Sequence, residues 1–157
     1  MSLDNITSPF QIRHWLGDME ADYMYSLGVA GERFFKEIKE NARIMGAKCP
    51  RCNVIHVPAR MYCEKCFTKL KEWVDVGTKG TIYTFTVATI NNDGKKLDKP
   101  EIYAFIKFAG TCGGLIHKIG ESEPEKIKIN MKVEAVFKPS LERKASITDI
   151  KYFKPTK

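Results

Sequence analysis

The stretch CPRCNVIHVPARMYCEKC, residues 49–66, constrains this chain more than any other part of it. It sets four of the five cysteines as two C-x-x-C pairs, Cys49 with Cys52 and Cys63 with Cys66, with ten residues between the pairs. A C-x-x-C turn aims two thiolates at one point, and two such turns on a short hairpin supply the four soft ligands of a closed tetrahedral zinc site. Pro50 inside the first turn and the strand-like NVIHVPARMY between the turns favour the hairpin. Disulfides fit poorly, because the opening residues carry Asp4, Arg13 and Asp18 with no apolar block of an export signal between them. A thioredoxin-type redox pair asks for one C-x-x-C in a strand–helix setting. The spacing therefore predicts a short zinc ribbon with one structural zinc on Cys49, Cys52, Cys63 and Cys66.

The neighbours of these cysteines carry their own expectations. The residue after each second cysteine tends toward a left-handed backbone, which suits glycine. Asn53 tolerates it and Phe67 does so poorly, so some distortion is expected in the second turn. His56 lies between the pairs and reads as a surface or packing histidine, since four thiolates already complete a site. Cys112, the odd cysteine, sits in the Gly-rich AGTCGG. Its one nearby base is His117, and five residues of extended chain put the two on opposite faces, so an inert buried thiol is expected.

On either side of the ribbon the periodicity differs. Ser8-Pro9 opens a helix, along which Trp15, Met19, Tyr23 and Leu27 recur every four residues, with Gly28 placed to end it. A second helix is expected over residues 30–42, with Phe34, Phe35 and Ile38 apolar. The stripe of the first helix is either core or a docking face for another chain, because the small cysteine module behind it offers little surface to cover it. After Cys66 the period becomes two. GTIYTFTVATI (80–90) puts Tyr83, Phe85 and Val87 on one face, and IYAFIKFA (102–109), GLIHKI (114–119), MKVEAVF (131–137) and SITDIKYF (146–153) repeat the alternation. EWVDV (72–76) offers a leading strand, while 91–100, 109–114 and 138–145 carry turn chemistry. Five strands in a segment of this length have the size of an OB-fold barrel. The expected organisation is N-terminal helices over 1–45, a zinc ribbon over 46–70 and a barrel over 71–157.

The chain is basic, at +7, but unevenly. Residues 1–35 hold two basic and five acidic residues, net −3, against 24 basic and 14 acidic, net +10, in the remainder. A basic body with an acidic head points to an anionic partner or to a lysine-rich solvated surface. No stretch approaches the roughly 20 apolar residues that span a bilayer, and an intracellular, cytoplasmic, soluble protein with no membrane partner is the expectation.

The order of parts now carries a resemblance. Acidic aromatic helices, the cysteine quartet with Pro58 and Arg60 before its third cysteine, the join EWVDVGTKGTIYTFTV and the later KINMKVEAVF together resemble the thiolase-associated acyl-CoA-binding zinc-ribbon/OB-fold family, long known only as a domain of unknown function. The resemblance runs from about residue 20 to 153. Asn53, Phe67 and Asn130 stand where that family has glycines. It implies a mainly β protein, with N-terminal helices, a rubredoxin-like zinc ribbon and a C-terminal OB-fold barrel. It also implies a non-catalytic scaffold: in archaeal relatives the small protein bridges a thiolase and a hydroxymethylglutaryl-CoA synthase that handle CoA thioesters in the mevalonate branch of lipid metabolism.

Three functions compete on these grounds. An acyl-CoA-binding accessory protein would use the Trp15–Met19–Tyr23–Leu27 stripe for docking and Arg60, Lys95, Lys96 and Lys99 for the CoA phosphates, though lysines in a polar loop are commonly only solvated. A nucleic-acid-binding module would stack bases on Tyr83, Phe85, Tyr103 and Phe105, which serve a barrel interior equally well. An enzyme acting through Cys112 lacks a base in place.

Overall fold

A computed structural model describes residues 26–91 and 93–156. One helix, α1 (Gly28–Asn41), precedes nine strands: β1 (Met45–Lys48), β2 (Ile55–Val57), β3 (Glu72–Asp75), β4 (Lys79–Ile90), β5 (Lys96–Lys107), β6 (Thr111–Gly113), β7 (Leu115–Ile119), β8 (Lys132–Phe137) and β9 (Ile150–Pro155). The stripe residues Trp15, Met19 and Tyr23, with the capping pair at 8–9, lie outside the described residues. Leu27 is described, and it stands exposed just ahead of α1. Gly28 has φ +62, the left-handed backbone that glycine accepts without cost.

Helix α1 forms because Ala30, Phe34 and Ile38 recur at helical spacing and are buried together, while Lys36, Lys39 and Glu40 face out. Arg33 stacks on the Trp73 ring, 4.5 Å from its centroid, and Arg143 donates to Lys39 O at 3.1 Å, so the helix is tied to both ribbon and barrel.

The five strands β4-β5-β7-β9-β8 close into a barrel in that order, with β7 and β9 parallel and the other neighbours antiparallel. This is the mainly β, OB-type arrangement expected from the sequence. Ile82, Ile102, Ala104, Ile106, Leu115, Ile119, Val133 and Phe153 fill it. A register shift between Ile82 and Thr84 breaks the strict alternation expected along β4. The bulge turns Tyr83 outward and sends Phe85 back onto the core, so these two do not share a face.

The second sheet is where sequence reading and structure part. EWVDV does not lead the barrel: β3 pairs antiparallel with β1, in a sheet ordered β3-β1-β2-β6. Its other edge is β6, which pairs parallel with β2 and lies within the segment expected to be a plain loop. The reason is Gly113, at φ +85, where a Cβ would meet Val57 O at 2.2 Å. Only glycine lets the barrel chain press this closely on the ribbon. The loop expected over 91–100 is also shorter, because Asn91 Oδ1 accepts from the amides of Asp93 and Lys95 and tightens the turn, and Lys96 and Lys99 fall on strand β5. At 146–149 a turn capped by Ser146 delays the final strand to Ile150. One continuous core runs from Phe34 and Ile38 through Ile44, Ala47 and Val57 to Ile106 and Phe153.

Candidate metal centre and adjoining cleft

Each C-x-x-C turn is built the same way. Asn53 N donates to Cys49 O at 2.9 Å and Cys49 N to Val54 O at 2.8 Å; Phe67 N donates to Cys63 O at 2.9 Å and Cys63 N to Thr68 O at 3.0 Å. Asn53 and Phe67 take φ of +53 and +57. The distortion expected of the second turn is therefore absent: the hydrogen bonds hold Phe67 in a conformation its side chain disfavours.

The turns bring the four sulfurs of Cys49, Cys52, Cys63 and Cys66 to within 4.8 Å of one another, with Cys49 and Cys63 fully buried. Four thiols at this spacing conflict. Cys66 is drawn down to about 6 by the hydroxyl and backbone amide of Thr68, whereas Cys52 is pushed up to about 12 by hydrogen bonding to Cys66 and by burial. A divalent cation at the centre removes the conflict by taking all four as thiolates, and all-sulfur donors suit zinc. The residues fit the group that the spacing implies.

His56 is 1 % exposed, and its Nε2 lies 3.3 Å from Cys63 Sγ. It is neither a surface side chain nor simple packing; it backs one of the sulfurs. Glu64 reaches across with Oε1, 3.9 Å from His56 Nδ1 and 3.3 Å from Cys112 Sγ. Its carboxyl is held below the usual range by the Cys112 thiol and by Arg60. Cys112 is thus half-buried and engaged, not the inert buried thiol expected. Sequence reading missed this because Cys112 reaches the ribbon through the β2–β6 pairing, which opposes His56 and Cys112 across 56 positions of chain. His117, the base considered for it, faces Ile147 O at 3.2 Å.

The candidate CoA-phosphate residues are not gathered. Arg60 is paired with Glu64 Oε2 at 2.7 Å, and Lys95, Lys96 and Lys99 stand exposed on the β4–β5 hairpin. The hollow beside that hairpin is lined instead by Asp93 and Glu101. None of the four lines the apolar cleft of about 530 Å³ between α1, ribbon and barrel, whose walls include Leu27, Phe34, Phe35, Pro58, Met61 and Leu115. Of the four candidate stacking aromatics, Tyr83, Tyr103 and Phe105 lie on the outer barrel face, and Lys107 Nζ sits 3.9 Å from the Tyr83 ring. Tyr103 donates to Glu101, which also binds Lys118 and whose carboxyl is lowered first by that lysine. No described helix is long and apolar enough to cross a membrane.

Comparison with known proteins matches residues 38–71 to the ChsH2 rubredoxin-like zinc ribbon domain and residues 73–138 to the ChsH2 C-terminal OB-fold domain. A DUF35 domain-containing scaffold protein of Methanocaldococcus jannaschii is 30% identical over 107 residues, 68% of this chain and 75% of that protein. Its namesake in Pyrococcus furiosus is 28% identical, over 66% of this chain and 75% of that protein. Among solved structures, a Sulfolobus solfataricus protein of unknown function from the DUF35 family superposes with a TM-score of 0.64 at 29% identity, covering 82% of this chain and 84% of that one. A chain of the Ltp2-ChsH2(DUF35) aldolase shares the fold, with a TM-score of 0.60 at 18% identity over 84% of this chain and 98% of its own.

Proposed function

Because this chain belongs to the DUF35 family, whose zinc-ribbon and OB-fold domains it carries, we propose that it is a non-catalytic scaffold that binds acyl-CoA and presents it to a thiolase and a hydroxymethylglutaryl-CoA synthase type enzyme. The observation that carries this reading is the apolar cleft between α1, ribbon and barrel, in whose wall Leu27 is exposed where the acidic, aromatic N-terminal segment joins. A cleft of this volume suits the pantetheine arm or a short acyl chain. Ribbon and barrel share one core, so they act as a rigid body that can hold two enzymes at a fixed geometry. In this reading zinc on Cys49, Cys52, Cys63 and Cys66 is structural, the segment with Trp15, Met19 and Tyr23 docks the enzyme, and Lys95, Lys96 and Lys99 meet phosphate only in the assembled complex.

Removing residues 1–25 tests it. Helix α1 belongs to the core, so the cut must fall before it. The shortened chain is expected to stay folded and to lose co-purification with the thiolase, and an unchanged association overturns the docking role. Calorimetry with acetyl-CoA, on the chain alone and with thiolase, tests the ligand.

The outer aromatic face supports a second reading, a single-stranded nucleic-acid binder, since Tyr103, Phe105 and Lys107 lie on β5, the second barrel strand, beside Tyr83 on β4, and OB-folds bind oligonucleotides on the face of their second and third strands. Glu101 disfavours it, because its carboxylate already holds Tyr103 and Lys118 and repels a phosphate. Tight oligonucleotide binding with a steep salt dependence would establish it over the first.

A further inference from the structure

We propose that His56, Glu64 and Cys112 form a second metal site at the seam between ribbon and barrel, one that takes a divalent cation of the zinc class. The three residues come from separate segments, β2, the second cysteine turn and β6, and their donor atoms all lie within 4.8 Å of one another. In a tetrahedral site with bonds of about 2.0–2.3 Å, neighbouring donors stand about 3.3–3.7 Å apart. Cys112 Sγ and Glu64 Oε1 are at 3.3 Å, and His56 Nδ1 and Glu64 Oε1 at 3.9 Å, so only the imidazole needs to close in.

The buried imidazole supplies an independent argument. Its Nε2 is engaged with Cys63 Sγ at 3.3 Å, so Nδ1 is the ring nitrogen turned toward the seam. That nitrogen lies 3.9 Å from Glu64 Oε1, too far for a hydrogen bond and close enough for both atoms to reach one ion, in a site where His56 is 1 % exposed. Arg60 holds Glu64 Oε2 at 2.7 Å and so aims Oε1 inward, and the absent Cβ of Gly113 keeps Cys112 in register with His56. One thiolate, one imidazole and one carboxylate form a donor set suited to zinc and ill suited to calcium or magnesium. Three protein ligands leave a fourth position toward solvent, where Glu64 is exposed and Cys112 half-buried. The ribbon site is closed and this one is open.

Zinc itself is the probe. Full-length protein dialysed against micromolar free zinc and then analysed for metal is expected to hold two equivalents, of which a mild chelator removes one. Cys112→Ala and Glu64→Gln are each expected to hold one, with an unchanged circular dichroism spectrum. Cobalt in place of zinc gives a second reading: a sulfur charge-transfer increment on the second equivalent, lost in Cys112→Ala. One equivalent in the unaltered protein at saturating zinc overturns the proposal, and means that the Cys112 thiol only donates its proton to Glu64. Two equivalents retained in both variants also overturn it, and mark the second ion as adventitious. If Cys112→Ala fails to fold, Glu64→Gln decides.

Discussion

The ribbon and the barrel share a core but are held by different means. In the barrel, β4 and β5 run for 12 residues each and the sheet closes on itself, so shape and apolar burial do the holding, with Phe153, Ile82, Ile106 and Val133 fully buried. In the ribbon the strands run for four, three and four residues, and two of its fully buried side chains are Cys49 and Cys63. Strands this short bury too little apolar surface to offset the entropy of ordering them. The sulfur cluster fills that gap. A region that cannot stabilise itself by area depends on a few bonds of high strength, and it should fail abruptly where the barrel fails by degrees.

Metal removal is the strongest test of that contrast. Structural zinc contributes about 10–16 kcal/mol to modules of this kind. Cys63→Ser, or prolonged chelation, is expected to abolish zinc binding and collapse the ribbon resonances in an amide NMR spectrum, while those of β4, β5 and β8 persist. Dispersed ribbon amides in the metal-free protein would erase the distinction. Phe153→Ala comes next. The ring packs against Phe108 and His117, with centroids at 6.4 and 5.6 Å, and its loss from a closed interior costs about 3–5 kcal/mol. A lowered denaturant midpoint with zinc still bound under native conditions is the expected result; loss of zinc would show that the ribbon leans on the barrel.

How much of this was legible follows the same divide. The cysteine quartet states its chemistry in four letters, because a metal site is defined by residue types and spacing. The barrel strands could be read because alternation survives in β5, β7 and β8, where Ile102, Ala104 and Ile106 point inward one after another. It failed in β4, where one extra residue at the bulge reverses the faces of Tyr83 and Phe85. What no local pattern carried was long-range pairing. The attachment of β3 to β1, of β6 to β2, and hence the meeting of His56, Glu64 and Cys112, depends on segments far apart in sequence. The single local mark of the β6 contact is a glycine in a run of glycines, which reads equally well as a turn.

Acid sharpens the comparison from the barrel side. Burial pushes the Asp149 carboxyl up, but the amides of Lys144, Ser146 and Ala145 outweigh it and hold the group below its ordinary value near 3.8. Lys144 N donates at 2.9 Å and Ser146 N at 3.1 Å, fixing the turn that starts β9. With a depressed pKa in the folded state, the stabilisation is fully present above the unfolded value and is lost as pH falls through the folded one. Barrel stability should therefore decline below about pH 4, and Asp149→Asn should flatten that limb while costing about 1–3 kcal/mol at neutral pH. An unchanged acid limb in the variant would assign the loss to other carboxylates.

The smallest expected effect is a gain, and it belongs to the ribbon. Phe67 is 80% exposed and holds φ +57 because its amide must reach Cys63 O at 2.9 Å to close the second turn. A left-handed backbone costs an ordinary L-residue about 1–2 kcal/mol, and glycine escapes that cost while giving back about 0.5–1 kcal/mol in unfolded-chain entropy. Phe67→Gly should thus stabilise the turn by about 0.5–1 kcal/mol, which for a chain of this size raises the thermal midpoint by roughly 1–4 °C. Asn53→Gly makes the same change at the first turn, where asparagine already tolerates φ +53, so its gain should be smaller. The pair of variants isolates backbone strain from loss of the aromatic ring. A fall in midpoint for Phe67→Gly alone would mean that the exposed ring stabilises the ribbon by more than its backbone costs, and that the weaker region is held by something besides its sulfurs.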